Sequence, residues 1–435
     1  MSKADRLELH GLWMMAAALT GHAGNYVYHF IAGRWLSDGE YGLVVALLAV
    51  GNMTALPLGA LSLSLTRAVA VLNHSSRPDL LPRLLRLWAR RLILLAGLLV
   101  FFSLAFAGPM GRWMGVARPA PVRLAMLIIA MNLFLMLTGA ALQGLQRFGW
   151  MAARSGLLFC SRALFLVFCL HLGAKAAGWA LLAHGLGMAM ALGLSLRALR
   201  GLPWAKSSSA PLFAPLPAAP APILGAALKA VPALLGFAVL MSADVVLAKR
   251  YFPAEDAGNF ARAAVLGRMI LWLPLPLAAT MFPKVVGQSP RLLKKACAYT
   301  LALVLLALAG CWVGAELLLR LLYGITHPAP EQIHMLRHMG LAMAPLGLVQ
   351  VVLHYELAQN RVRHLWPLLL IAAGYLLGVR LHHPNLMSLV HMLQAATTLA
   401  LAQSLFTFLR ATSSPASPAS APESLPESAP PNGPG

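Results

Sequence analysis

RWLSDGEYGLVVALLAVGNM (Arg34–Met53) and RYFPAEDAGNFARAAVLGRM (Arg250–Met269) are the two stretches on which the reading of this chain turns. Set against each other without a gap, they coincide at Arg34/Arg250, Gly42/Gly258, Gly51/Gly267 and Met53/Met269. Each leaves one apolar run, turns through acidic and glycine residues, and enters a second apolar run. Each meets proline soon afterwards, at Pro57 and at Pro274/Pro276. A repeat of this kind predicts two like halves. The segment between them, Gly201 to Pro222, holds six prolines and the run Ser207-Ser208-Ser209. Its composition predicts a semi-extended linker.

Composition fixes the solvent of both halves. Of 435 residues, 59% are hydrophobic and only 11% charged, with a mean hydropathy of +0.73. A soluble domain is about 45–50% apolar and about 25% charged. A chain this apolar cannot cover itself with polar surface, so it reads as an integral membrane protein. Runs long enough to span a bilayer number twelve: 10–33, 41–71, 87–108, 121–145, 151–172, 176–198, 224–249, 258–285, 296–322, 333–357, 364–381 and 386–409. The expected fold is all-α, with two six-helix lobes over 1–200 and 224–410. The linker at 201–223 joins them, and a disordered Pro/Ser/Ala tail follows at 411–435. Transporters are often built from such repeats, with the substrate path between them.

Several function classes drop out. The short connections leave no room for a soluble catalytic domain, and no phosphate-binding glycine motif follows a strand pattern. Cys160, Cys169, Cys297 and Cys311 all lie in apolar runs without metal-ligand spacing and read as small buried hydrophobes. No cofactor and no metal is expected. The first apolar run continues past Leu19 without a cleavage site and reads as a retained span.

Charge sets the expected orientation. The net charge of +21 is large for so apolar a chain. With the N-terminus inside, nineteen Lys and Arg residues fall on the cytoplasmic side and nine outside, which predicts that both termini are cytoplasmic. Arg83, Arg86, Arg90 and Arg91 form one such cytoplasmic cluster, and Arg154 is counted on that side too. Six basic residues remain inside the predicted spans: Arg67, Arg162, Lys229, Arg262, Arg268 and Arg337.

Residues 24–42 and 242–283 carry a resemblance. Gly24-Asn25-Tyr26 through Arg34-Trp35-Leu36 to Glu40-Tyr41-Gly42 resembles the first hairpin of bacterial polysaccharide transporters, the oligosaccharide branch of the multidrug/oligosaccharidyl-lipid/polysaccharide flippase superfamily. Ser242-Ala243-Asp244 through Ala257-Gly258-Asn259-Phe260 to Met281-Phe282-Pro283 is similar to the matching second-half hairpin. The resemblance spans about residues 5–410. It implies a V-shaped pair of lobes around a central cavity. It also implies a cargo, an undecaprenyl-diphosphate-linked oligosaccharide of the O-antigen type, moved by alternating access. The alanine, leucine and proline richness departs from that family and leaves the glycan open.

The in-span cations are the candidate site. A charge at mid-bilayer costs at least about 2.5–3.5 kcal/mol, so each must snorkel, pair with an acid or face a wet cavity. Arg67, Lys229, Arg262 and Arg337 lie within two turns of predicted helix ends, where snorkelling suffices. Arg162 and Arg268 lie deeper and are expected to face the cavity, where guanidinium groups give bidentate, charge-assisted bonds to phosphate. Ser155 shares the Arg162 face. On the first helix, His22, Asn25 and His29 form a polar stripe that either lines the cavity or bonds a neighbouring helix. Asp244 either couples transport to a proton or Na⁺, pairs with a cavity arginine, or pairs locally with Lys249 and Arg250. Glu316 and Arg320 make an ordinary i,i+4 pair.

These features favour a lipid-linked oligosaccharide flippase of the bacterial inner membrane. It would be no enzyme, would bind no nucleic acid, and would meet membrane lipids and polysaccharide-assembly proteins as partners. A cation-coupled drug exporter of the same superfamily would need a more acidic cavity. A membrane glycan polymerase or ligase would need a long outer loop.

Overall fold

The computed structural model describes residues 20–21, 23–74, 80–116, 118–202, 223–272, 290–358 and 362–413. It is all helical among these residues. In chain order the helices are α1 (23–35), α2 (Asp38–His74), α3 (Leu80–Trp113), α4 (Ala120–Gly144), α5 (Phe148–His171) and α6 (Ala177–Leu199) in the first half. The second half holds α7 (Ile223–Tyr251), α8 (Ala254–Gly267), α9 (Met269–Trp272), α10 (Pro290–Val313), α11 (Ala315–Tyr323), α12 (Pro330–Ala358), α13 (Pro367–Leu381) and α14 (Leu386–Ser413). Among the described residues nine helices are long and apolar enough to cross a membrane, and the bent pair α10–α11 makes a tenth. The chain is a multi-pass membrane protein with two helical lobes around a central cavity.

Both repeat stretches start a helix in the same way. Asp38 and Glu40 occupy the first turn of α2, and Glu255 and Asp256 that of α8, where acidic side chains complement the helix dipole. Within the first lobe α2 packs on α4 and α6, and across the molecule it packs on α7 and α8. In the second lobe α12 lies against α8, α10 and α14, and α13 lies against α7. The repeat register holds in three dimensions. Gly51 faces Ile129 of α4, the fourth helix of its lobe, while Gly267 faces Met339 of α12, the fourth span of the other. Arg34 reaches across to donate to Leu321 O (3.4 Å), and Arg250 reaches the other way to lie over Trp113.

Several boundaries differ from the sequence reading. The span expected over 258–285 begins earlier, at Ala254, and its helix is interrupted at Arg268. There Leu271 N–H donates to Arg268 O three residues back (3.1 Å), a local tightening of the kind found at hinges. Residues 273–289, with Pro274, Pro276 and the Met281-Phe282-Pro283 exit, lie outside the described residues.

The span expected over 296–322 is not straight. It bends by 80° at Gly314, one turn after Gly310, where a glycine pair weakens the helix. The exposed Glu316–Arg320 pair therefore sits on the separate helix α11. Helix α3 begins at Leu80 rather than 87, so Arg83, Arg86, Arg90 and Arg91 are helical, with Arg91 over the Trp88 ring (5.1 Å). Helix α2 runs through Pro57 for 37 residues, about 55 Å, well beyond the hydrocarbon core.

Cys169 and Cys311 are buried as expected, but Cys160 is exposed, and the Cys297 side chain lies outside the described residues. The linker from 203 to 222 and the tail from 414 also lie outside them. The last helix extends to Ser413, past the expected start of the tail.

Candidate functional site

At one end of the lobe interface the two hairpins of the repeat close on each other. A Cβ on Gly42 would stand 3.0 Å from Gly258 N, and one on Gly258 would overlap the Asp38 backbone, so both positions need glycine for this approach. Arg262 fastens the contact. Its Nη2 donates to Asp38 Oδ1 (2.6 Å) and Gly33 O (3.0 Å), and its Nη1 donates to Asn259 Oδ1 (3.0 Å). Tyr41 and Tyr323 hydroxyls meet at 3.1 Å across the lobes, with the Arg262 guanidinium 5.8 Å from both rings. Gln332 adds a bond to Asn259 Oδ1 (2.9 Å). Arg262, expected among substrate-binding residues, thus sits in a fully partnered seal.

Behind the seal lies a cavity of about 450 Å³ between the lobes. From α1 it is lined by Asn25, Tyr26 and His29, and from α2 by Val45, Ala49 and Asn52. Asn132 comes from α4, Arg154 and Ser155 from α5, and Val265, Arg268 and Trp272 from the α8–α9 segment. Two pairs in this lining are repeat mates, Ala49/Val265 and Asn52/Arg268. The same register position of each half therefore points into the same space.

Arg268 is held from behind. Its Nε donates to Met241 O (2.7 Å), and its Nη2 pairs with Asp244 Oδ1. Asp244 is wholly buried, and among the described residues its Oδ2 has no hydrogen-bond partner, nor has the buried Ser242 hydroxyl on the same stretch of α7. Asp244 pairs with Arg268 rather than with Lys249 or Arg250. Arg154 is the other cation of the cavity. Its Nη1 donates to Leu135 O (2.9 Å), and no ion pair forms on it among the described residues. Tyr26 and His29 belong to the lining, and Tyr26 Oη and His29 Nδ1 are buried there without partners among the described residues. Among the described residues the lining contains no Asp or Glu.

The remaining expected site residues part company. Arg162 is 2% exposed and lies behind the wall, between α1, α5 and α6, outside the lining. Its Nη2 donates to Asn25 Oδ1 (3.0 Å), its Nη1 approaches His184 Nδ1 (3.3 Å), and its guanidinium stacks between Tyr28 (4.9 Å) and Phe159 (4.4 Å). Gly187 opposite leaves the space, since a Cβ there would stand 2.8 Å from that of Arg162. Asn25 accordingly serves both expected roles, facing the cavity and bonding a neighbouring helix.

Arg67 and Lys229 are exposed and take no part in the cavity. Arg337 donates to Trp312 O (2.9 Å) on the second lobe. His22 lies outside the described residues. Arg154, Asn52 and Asn132 were not among the expected site residues. Arg154 was counted as a cytoplasmic helix end, seven residues into α5. Asn52 was open to detection as the repeat mate of Arg268.

No family model matches the chain, and no curated protein matches it in sequence. Solved structures do resemble it. The inward-facing conformation of a multidrug resistance MATE family transporter of the MOP superfamily matches at a TM-score of 0.66 and 14% identity, covering 89% of this chain and 96% of that one. The outward-facing conformation of a multidrug resistance MATE family transporter of the same superfamily matches at 0.61 and 15%, covering 93% and 95%. A MATE structure in the bent conformation matches at 0.59 and 15%, covering 95% and 98%. At such identities the likeness establishes the fold alone, the twelve-helix fold of those proteins.

Proposed function

We propose that the chain is a flippase for an undecaprenyl-diphosphate-linked oligosaccharide in a bacterial inner membrane, working by alternating access without covalent chemistry. One observation carries this reading. The cavity presents the guanidinium groups of Arg154 and Arg268 and no carboxylate among its described lining. A diphosphate supplies the missing negative charge and accepts from both guanidiniums, while Asn25, Asn52, Asn132, His29 and Tyr26 suit sugar hydroxyls. The structural neighbours are transporters with inward- and outward-facing states, which supports transport by alternation. With the N-terminus cytoplasmic, as the charge distribution expects, the seal at the Gly42/Gly258 end would close the chain on its outer side.

Asp244 gives the cycle a coupling step. In the empty cavity it neutralises Arg268. An arriving diphosphate competes for that guanidinium, and the released Asp244 then takes a proton or Na⁺. The hinge at Arg268 links this exchange to the shape of the α8–α9 segment.

A multidrug exporter, as the titles of the neighbours describe those proteins, is the second reading. Cationic drugs call for exposed carboxylates, and the described lining offers none. Reconstitution separates the two readings. Proteoliposomes should move a fluorescent undecaprenyl-diphosphate saccharide between leaflets and leave cationic dyes in place. Dye transport without lipid movement would reverse the assignment. Leaflet exchange indifferent to Asp244→Asn would remove the coupling step.

A further inference from the structure

Three stripes on the second lobe converge on one slot that shares no lining residue with the central cavity. Leu301 and Leu305 of α10, Ala344 and Leu348 of α12, and Thr398 and Leu401 of α14 enclose about 400 Å³. The α12 stripe continues from Leu348 through Pro345 and Leu341 to His338 and His334, at spacings of three and four residues that keep one helix face. The α14 stripe likewise runs from Leu401 through Thr398 and Gln394 to His391.

The walls of the slot are apolar, and its mouth is polar and basic. At the mouth the rings of His334 and His338 lie 4.3 Å apart, and those of His338 and His391 5.3 Å. Arg337 sits beside them, its guanidinium 5.7 Å from the Trp312 ring. Gln394 joins the two parts. It lines the slot, and its Nε2 donates to His338 O (2.8 Å) and approaches His338 Nδ1 (3.2 Å). With Nδ1 accepting, the outer ring nitrogen of His338 is an N–H donor. Glu331 is the one acid nearby on α12, exposed one turn beyond His334.

A metal does not fit this mouth. His338 Nδ1 is occupied by Gln394, and no group of His, Cys, Asp or Glu among the described residues has metal-holding geometry. We propose instead that the slot is a standing site for an anionic phospholipid. One acyl chain would lie along α10, α12 and α14, and the phosphate would sit against Arg337 and His338. The slot's length suits this occupant. From His334 to Leu348 the α12 face runs about 21 Å, one headgroup plus one leaflet of a hydrocarbon core about 30 Å thick. A soluble anion would leave the apolar walls empty, and an apolar helix would leave the basic mouth unpaired. This inference does not depend on which cargo the central cavity carries.

The test uses the full chain in nanodiscs of mixed phosphatidylglycerol and phosphatidylcholine, followed by native mass spectrometry of the lipids that stay bound. The wild-type chain should retain phosphatidylglycerol selectively. Arg337→Gln should cut that selectivity about fivefold, the share of one basic residue at a membrane surface. Thr398→Trp should fill the slot and lower the retention of both lipids. Arg67→Gln, an exposed arginine of the other lobe, should change nothing, and excess inorganic phosphate should not displace the lipid. Displacement by inorganic phosphate would make the mouth a free-anion site. Equal losses in Arg67→Gln and Arg337→Gln, or no loss in Arg337→Gln, would overturn the proposal even if Thr398→Trp failed to fold.

Discussion

The seal and the cavity are a few turns apart on the same helices, yet they treat polar groups in opposite ways. At the seal every nitrogen of Arg262 has an acceptor, and the two tyrosine hydroxyls bond each other. Around the cavity, Tyr26 Oη and His29 Nδ1 on its lining residues and Asp244 Oδ2 behind Arg268 are buried without partners among the described residues. A buried polar group without a partner costs about 1–3 kcal/mol. The seal is therefore a finished contact and the cavity an unfinished one. The difference teaches where a ligand is needed and where one would only be in the way.

The largest expected effect breaks the cavity side. Arg268→Ala leaves Asp244 as an uncompensated buried charge, which should destabilise the chain by about 3–5 kcal/mol. Thermal unfolding in detergent should show most of this loss recovered in the Arg268→Ala/Asp244→Ala double variant, while transport stays lost in both. A double variant as unstable as the single one would mean that Asp244 is not the partner that matters.

Next comes the seal. Gly258→Val should cost about 1–3 kcal/mol through overpacking against Asp38. Arg262→Gln should loosen the same contact without adding bulk. In an Asn52→Cys background, an impermeant thiol reagent should label the cavity from one side only, and Arg262→Gln should admit it from both. One-sided labelling in Arg262→Gln would show that the backbone contact closes this end alone.

Arg154→Gln sharpens the comparison without unfolding anything. Losing a charged hydrogen-bond partner for the cargo should weaken binding of a lipid diphosphate by about 1.5–3 kcal/mol, at least tenfold, as read by ligand-induced stabilisation. The smallest effect belongs to the exposed cations. Arg67→Gln and Lys229→Ala should stay within about 0.5 kcal/mol of the parent and transport normally. A transport defect in either would extend the cargo path beyond the cavity.

The residues differ in how legible they were. Composition was enough for a membrane protein, because no soluble surface can absorb so many apolar side chains. The ungapped repeat was enough for its halves, and it carried more than its four identities suggest. It pairs Gly42 with Gly258 at the seal and aligns Asn52 with Arg268 in the cavity wall. Depth along the sequence flagged Arg162 and Arg268 alike as facing the cavity, which holds for Arg268 but not for Arg162. It could not separate them, because the partners, Asn25 with His184 and Met241 with Asp244, come from other turns and other helices. Arg154 was hidden for the opposite reason. It lies near a helix end, where sequence reading places it among the cytoplasmic charges, but its side chain packs against Gly139 and donates to Leu135 O of α4 on the cavity wall.

What the sequence determined by itself was the solvent, the twofold repeat and that the deep cations Arg162 and Arg268 lie away from lipid. Each follows from local chemistry, whether the transfer cost of apolar surface, the register of a short motif or the cost of charge in lipid. What only the tertiary structure decided was the state of each cation: Arg262 closed into a seal, Arg268 neutralised, Arg162 walled in and Arg154 left facing the cavity. Whether a charge is free depends on the carbonyls and carboxylates that packing brings within about 3 Å, and no spacing along one chain records that distance.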